Sequence, residues 1–101
     1  MYLIQLLLPL YDNEKRPFKQ QLLDGVRTRL AEEFGGVTAY KRSPAEGIWK
    51  EDGETSRDAI IIMEVMADEL DRDWWKLYRA DLEKRFRQKE LVIRSTEMEK
   101  L

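Results

Sequence analysis

The sequence predicts an α+β domain, with one four-stranded antiparallel sheet and two helices on one of its faces. Three observations predict it. Strand-like and helix-like stretches follow one another in the order β-α-β-β-α-β. Each helical stretch carries an apolar stripe along one side. Three of the four strand-like runs are apolar on both alternating faces: residues 2–8, residues 59–66, and Leu91, Val92 and Ile93. A strand with one wet face alternates apolar and polar residues, and these do not. Two helices shield only one face of a small sheet. The cheapest cover for the other is a second copy of the chain, so a homodimer is expected.

The first strand is expected over residues 2–10 and stops near Pro9, which has no N–H to give a ladder. A polar loop runs from Asp12 to Arg16. Pro17 then suits the first position of a helix, where a missing N–H costs nothing. Phe18, Leu22, Leu23, Val26, Leu30 and Phe34 recur at steps of three and four, which predicts a helix over 17–34. Gly35 and Gly36 end it. The second strand is expected over 37–42. A loop follows, and Asp52-Gly53 signals a turn, so 47–58 reads as a hairpin arm leading into a third strand over 58–66. Asp68 or Asp71 can cap a second helix. Its inner stripe is Trp74, Trp75, Tyr78, Leu82 and Phe86, with Lys84, Arg85, Arg87 and Lys89 at its negative end. The fourth strand is expected over 90–96, followed by a short tail.

With right-handed crossovers this order gives the ferredoxin-like arrangement, with the four expected strands in spatial order 4-1-3-2. Alternation then sorts the strand residues by face. Tyr2, Ile4, Leu6, Leu8, Val37, Ala39, Ile61, Met63, Val65, Leu91 and Ile93 form an almost wholly apolar set, assigned to the helices. The other set is Leu3, Gln5, Leu7, Thr38, Tyr40, Arg42, Ile60, Ile62, Glu64, Met66, Val92, Arg94 and Thr96. It mixes large apolar side chains with a few polar ones, and the polar members could form one row: Arg94, Gln5, Glu64, then Tyr40 or Arg42. A slip of one residue in any strand would destroy the row.

Length and composition narrow the function. At 101 residues the chain is expected to be a single domain. Net charge is −2, with 38% charged residues, which argues against nucleic acid or an anionic membrane as the main partner. The RNA-recognition motif shares the β-α-β-β-α-β order, but it stacks bases on aromatic residues of its sheet. The third strand here reads Ile60-Ile61-Ile62-Met63-Glu64. Cysteine is absent, so there is no disulfide framework and no thiol nucleophile, and a cytoplasmic location is compatible. Histidine is absent too, which removes the commonest general base and metal ligand. Scattered acids lack metal-ligand spacing, and no glycine-rich phosphate loop is present. No cofactor or metal is expected. The apolar opening lacks a basic flank and a small-residue cleavage pattern, so it reads as a buried strand. No apolar stretch approaches the roughly 20 residues of a membrane span.

Glu64, a lone acid inside an apolar strand, is a candidate general base or a buried ion-pair partner for Arg94 or Arg42. Tyr40 is the second catalytic candidate, able to donate a proton or bond a substrate oxygen, or to serve as an amphipathic interface residue. Gln5, Arg42, Trp49 and Arg94 are the candidate ligand-binding residues. The two arginines suit a carboxylate or phosphate through their planar forks. Trp49, on the hairpin arm, could close the mouth of a cavity between sheet and partner. Trp74 and Trp75 sit at core spacing. The basic run after them is explained by the helix end.

The Gly36-Val37-Thr38-Ala39-Tyr40 strand, the Gly47-Ile48-Trp49 hairpin, the Ile60–Met66 strand with its acid, and Tyr78 with Phe86-Arg87-Gln88 and Leu91-Val92-Ile93-Arg94 carry a resemblance across nearly the whole chain. The pattern resembles an uncharacterised bacterial ferredoxin-like domain family within the dimeric α/β-barrel superfamily. That superfamily includes cofactor-independent monooxygenases, muconolactone-isomerase-like enzymes, haem-processing enzymes and stress-response proteins. The histidines that some of them use have no counterpart here. The expected function is therefore a homodimeric domain that binds a small hydrophobic or anionic ligand or serves as an interaction module. The alternative is a cofactor-independent isomerase or monooxygenase acting on a small hydrophobic acid.

Overall fold

The structure, a computed structural model, describes residues 1–42, 50–51, 54–55 and 60–101, with side chains described for 1–40 and 60–101. Its elements are β1 (Tyr2–Pro9), α1 (Gln20–Phe34), β2 (Thr38–Arg42), β3 (Lys50–Glu51), β4 (Glu54–Thr55), β5 (Ile60–Ala67), α2 (Arg72–Arg85) and β6 (Val92–Glu97). β1, β2, β5 and β6 form a four-stranded antiparallel sheet in the order β2-β5-β1-β6. β3 and β4 pair antiparallel as a separate two-stranded piece, within the segment where the sequence predicts a hairpin arm.

The two central strands are the most apolar runs in the chain. Along them, Ile4, Leu6, Leu8, Ile61, Met63 and Val65 are buried on one face. They pack with Leu23, Val26 and Leu30 of α1, with Trp75 and Leu82 of α2, and with Phe86 and Leu91 just beyond it. This is the face assigned to the helices by alternation. No charged or polar residue among those described is buried, so the helix-covered layer is held by apolar burial and packing alone. Full burial of one such side chain is worth about 1.5–3 kcal/mol.

The element ends show where local chemistry decides. Helix α1 begins at Gln20, not at Pro17. Pro17 instead forms an isolated antiparallel bridge with Tyr11, and the Phe18 N–H donates to the Leu10 carbonyl at 3.0 Å. The intervening turn is closed by Asp12, whose Oδ1 accepts from the backbone N–H of Glu14 and Arg16 at 2.8 and 2.9 Å. These backbone bonds, first that from Arg16, hold the Asp12 carboxyl below its ordinary acid range. Lys15 takes the left-handed conformation, φ 62°, to complete the turn.

The end of α1 is set by Gly35, φ 77°, whose N–H donates to the Ala31 carbonyl. Helix α2 is capped by Asp71, which accepts from the Trp74 N–H at 3.1 Å. It ends in a Schellman motif: Gln88 N–H donates to the Glu83 carbonyl, Arg87 N–H to the Lys84 carbonyl, and Arg87 sits at φ 51°. The Glu83 side chain then accepts from the Leu91 N–H at 3.0 Å, tying the helix to the approach of β6. No described helix is long and apolar enough to cross a membrane.

Candidate functional site

The second face of the sheet is built differently. Leu3, Leu7 and Ile60 are half-buried there, Met66 and Val92 are about half exposed, and Ile62 is buried. Across the middle of this apolar surface runs a row of polar side chains. Register places it: Gln5 of β1 lies opposite Glu64 of β5 on one side and Arg94 of β6 on the other. On β2 the residue opposite Glu64 is Thr38, too short to reach far, and Tyr40 lies opposite Ile62. Tyr40 joins the row diagonally, as a long side chain can across adjacent strands.

The row is continuous. Arg94 Nε donates to Gln5 Oε1 at 2.9 Å, Gln5 Nε2 donates to Glu64 Oε1 at 2.9 Å, and the Tyr40 hydroxyl donates to the same oxygen at 2.8 Å. Gln5 Nε2 also lies 3.3 Å from the Tyr40 oxygen. The amide of Gln5 has one orientation that satisfies both neighbours. A guanidinium only donates and a carboxylate only accepts, so the carbonyl must face Arg94 and the NH2 must face Glu64. Glu64 Oε1 receives two donors. Among the described residues, neither Glu64 Oε2 nor the two Nη nitrogens of Arg94 has a hydrogen-bond partner. The row is thus occupied at its centre and open at its charged groups.

This geometry places four of the six residues singled out from sequence, Gln5, Tyr40, Glu64 and Arg94, on one network. It also corrects an expectation. Glu64 does not pair with Arg94 directly, because β1 lies between their strands and Gln5 bridges them. Arg42 pairs with Ile60 in the β2–β5 ladder. That is four residues along β5 from Glu64, roughly 13 Å of strand. The backbone register therefore puts Tyr40, rather than Arg42, next to the acid. The side chain of Arg42 and the whole of Trp49 lie outside the described residues. Thr38 is the neighbour of Glu64 that the sequence reading did not single out. Its signal was present, since it shares a face with Tyr40 two residues away. Among the described residues no group of acids could hold a metal ion.

A second concavity is an open groove over the helices, lined in part by Gly25, Thr28, Arg29, Trp74, Leu77 and Tyr78. Its aromatic floor belongs to the core edge: Phe34 stacks on Trp75 at 5.3 Å and meets Trp74 edge-on at 5.5 Å. Burial pushes the Tyr78 hydroxyl up to about 12. The arginines are already engaged. Arg29 pairs with Glu33 at 2.7 Å and stands over the Trp74 ring, and Arg85 pairs with Asp81 at 3.1 Å. This groove reads as structure, as the helical spacing of its aromatics predicts.

No protein-family model matches the chain, and no curated protein matches it. Among solved structures, a phage SAM lyase in complex with S-methyl-5'-thioadenosine is similar in fold, with a TM-score of 0.63 over 95% of this chain and 80% of that one. Sequence identity is 9%. The likeness shows a shared small α/β architecture.

Proposed function

We propose that the chain is a homodimeric, ferredoxin-like small-ligand-binding domain, in which a second copy covers the sheet face away from the helices. The row of Arg94, Gln5, Glu64 and Tyr40 lines the space between the two sheets. The observation that carries this reading is that row: a hydrogen-bonded polar line laid across an otherwise apolar surface. A mostly apolar recess with a few convergent polar groups is the usual character of a small-molecule site. The apolar flanks supply the area a partner would bury, and the charged groups supply orientation.

Sedimentation velocity across micromolar concentrations tests the assembly. The wild-type chain is expected to sediment as a dimer. Met66→Glu and Val92→Glu, at positions 49% and 48% exposed in the single chain, are expected to give monomers with an unchanged circular dichroism spectrum. A wild-type monomer at every concentration would end this reading.

The 2.8 Å bond from Tyr40 to Glu64 favours a second reading, a cofactor-independent isomerase or monooxygenase acting on a small hydrophobic acid. Arg94 would hold the acid group. The Tyr40 proton is committed to Oε1, so Oε2 would be the oxygen that takes a proton from substrate, with Tyr40 positioning it. Glu64→Gln would then keep binding of an acid and lose turnover. The fold likeness to the phage lyase makes S-methyl-5'-thioadenosine one further probe for the same face.

A further inference from the structure

We propose that the row selects an extended zwitterion, a ligand of the ω-amino-acid class, with its carboxylate on the Nη nitrogens of Arg94 and its cation on Glu64 Oε2. This rests on the reading of the open sheet face as a ligand site and adds the ligand's charge layout. Three features carry it.

The first is valence. Gln5 spends its carbonyl on Arg94 and one N–H on Glu64, so the centre of the row is occupied by its own members. What remains for a ligand is a guanidinium edge at one end and a carboxylate oxygen toward the other. A simple anion would satisfy Arg94 while adding negative charge beside Glu64, and a simple cation would do the reverse. A ligand carrying both charges satisfies both ends without net repulsion.

The second is length. Arg94 and Glu64 sit on strands separated by β1, two strand spacings, or roughly 10 Å. The Gln5 amide, with a 2.9 Å bond on each side, stands between the two charged groups, so a ligand lying over Gln5 must carry its charges farther apart than the ammonium and carboxylate of an α-amino acid. The charges of the ligand must stand at the two ends of a chain or ring system.

The third is what lies between. Leu3 and Leu7 flank Gln5 on the same face of β1, and Val92 lies opposite Leu7 on β6. The body that joins the two charges therefore rests on hydrocarbon. An apolar spacer fits that surface, and a polyhydroxylated one would lose hydration there without repayment.

Isothermal titration of the full-length chain with 8-aminooctanoate, octanoate and octylammonium at matched ionic strength tests the inference. The chain of 8-aminooctanoate is long enough to pass over Gln5 with one charge on each side, and the other two each carry one of its charges. The zwitterion is expected to bind at least about tenfold more tightly than either. Glu64→Gln should abolish the advantage of 8-aminooctanoate over octanoate, while octanoate, relieved of the carboxylate's repulsion, binds no more weakly than to the wild type. Arg94→Gln should abolish its advantage over octylammonium, while octylammonium, relieved of the guanidinium's repulsion, binds no more weakly than to the wild type. The ligand that each variant retains reports that the variant is folded.

If the single-charge probes bind and the zwitterion gains nothing, or if neither variant changes its affinity, the inference falls and the ligand-site reading stands. If none of the three binds, both fall. If either variant instead dissociates the dimer, the partner copy's own charges occupy Arg94 and Glu64, and the inference is overturned.

Discussion

The two faces of this sheet are made from the same strands, often from adjacent residues, and they are held by different physics. Leu6 and Leu7 are neighbours in β1. Leu6 is fully buried under the helices, and Leu7 is half-buried on the far side. The buried centre of the helix-covered face, among the described residues, holds no charged or polar side chain. The opposite face carries Arg94, Gln5, Glu64 and Tyr40 across its middle. The difference teaches that a face closed by its own chain can be apolar throughout its covered centre. The other face has polar side chains set in a defined row, and nothing in the single-chain packing demands them.

The largest expected effect is on the closed face. Leu6→Ala should cost about 2–5 kcal/mol in a urea unfolding experiment, because a fully packed side chain leaves a cavity. Leu7→Ala should cost less in the isolated chain. If a second copy covers that face, its cost should grow with protein concentration, since dissociation is then linked to unfolding. Equal, concentration-independent costs at the two positions would erase the distinction between the faces.

A smaller effect is expected inside the row. Gln5→Leu keeps the bulk and removes both bridging bonds, and should destabilise by about 1 kcal/mol, with the larger loss in ligand binding. A fully neutral outcome in both measurements would mean that the row is ornament to the fold and to the site alike.

The smallest effect belongs to the helical layer and appears only at high pH. Burial raises the Tyr78 hydroxyl from 10.0 to about 12, so between these values the unfolded chain gives up a proton that the folded chain retains. That group's contribution is present below pH 10 and is lost as pH climbs through about 12. Tyr78→Phe should therefore flatten the alkaline fall in the urea midpoint and remove one late-titrating phenol from the absorbance curve. A wild-type curve with the same alkaline slope as the variant would show that this hydroxyl is not shielded.

Much of this arrangement was legible in the sequence because alternation is a strong signal. The sorting of Ile4, Leu6, Leu8, Ile61, Met63 and Val65 to one face follows from a period of two and is what the packing shows. The row followed from the same rule, since Gln5, Glu64 and Arg94 are the polar residues set into apolar strands. Less was legible where one residue type serves two purposes. Pro17 suits the start of a helix, but it suits the close of a tight turn equally well, and the Asp12 side chain decided for the turn. Gly35 announced the end of α1, whereas Arg87 ends α2 in the same left-handed conformation with no glycine to announce it. The expected row already set Gln5 between Arg94 and Glu64, but whether the charges would meet past it or bond through it depends on side-chain reach, which alternation does not carry.

The row also inherits a weakness from its outermost strand. β6 has a neighbour in the sheet only through β1, its side chains are mostly exposed, and Arg94 meets Gln5 across 89 residues of sequence. Edge strands of this kind fray before the centre of a sheet opens. A partial opening that peels β6 away would remove the guanidinium while leaving the carboxylate and its phenol in place. The same surface would then pass from two-signed to purely acidic without the domain unfolding.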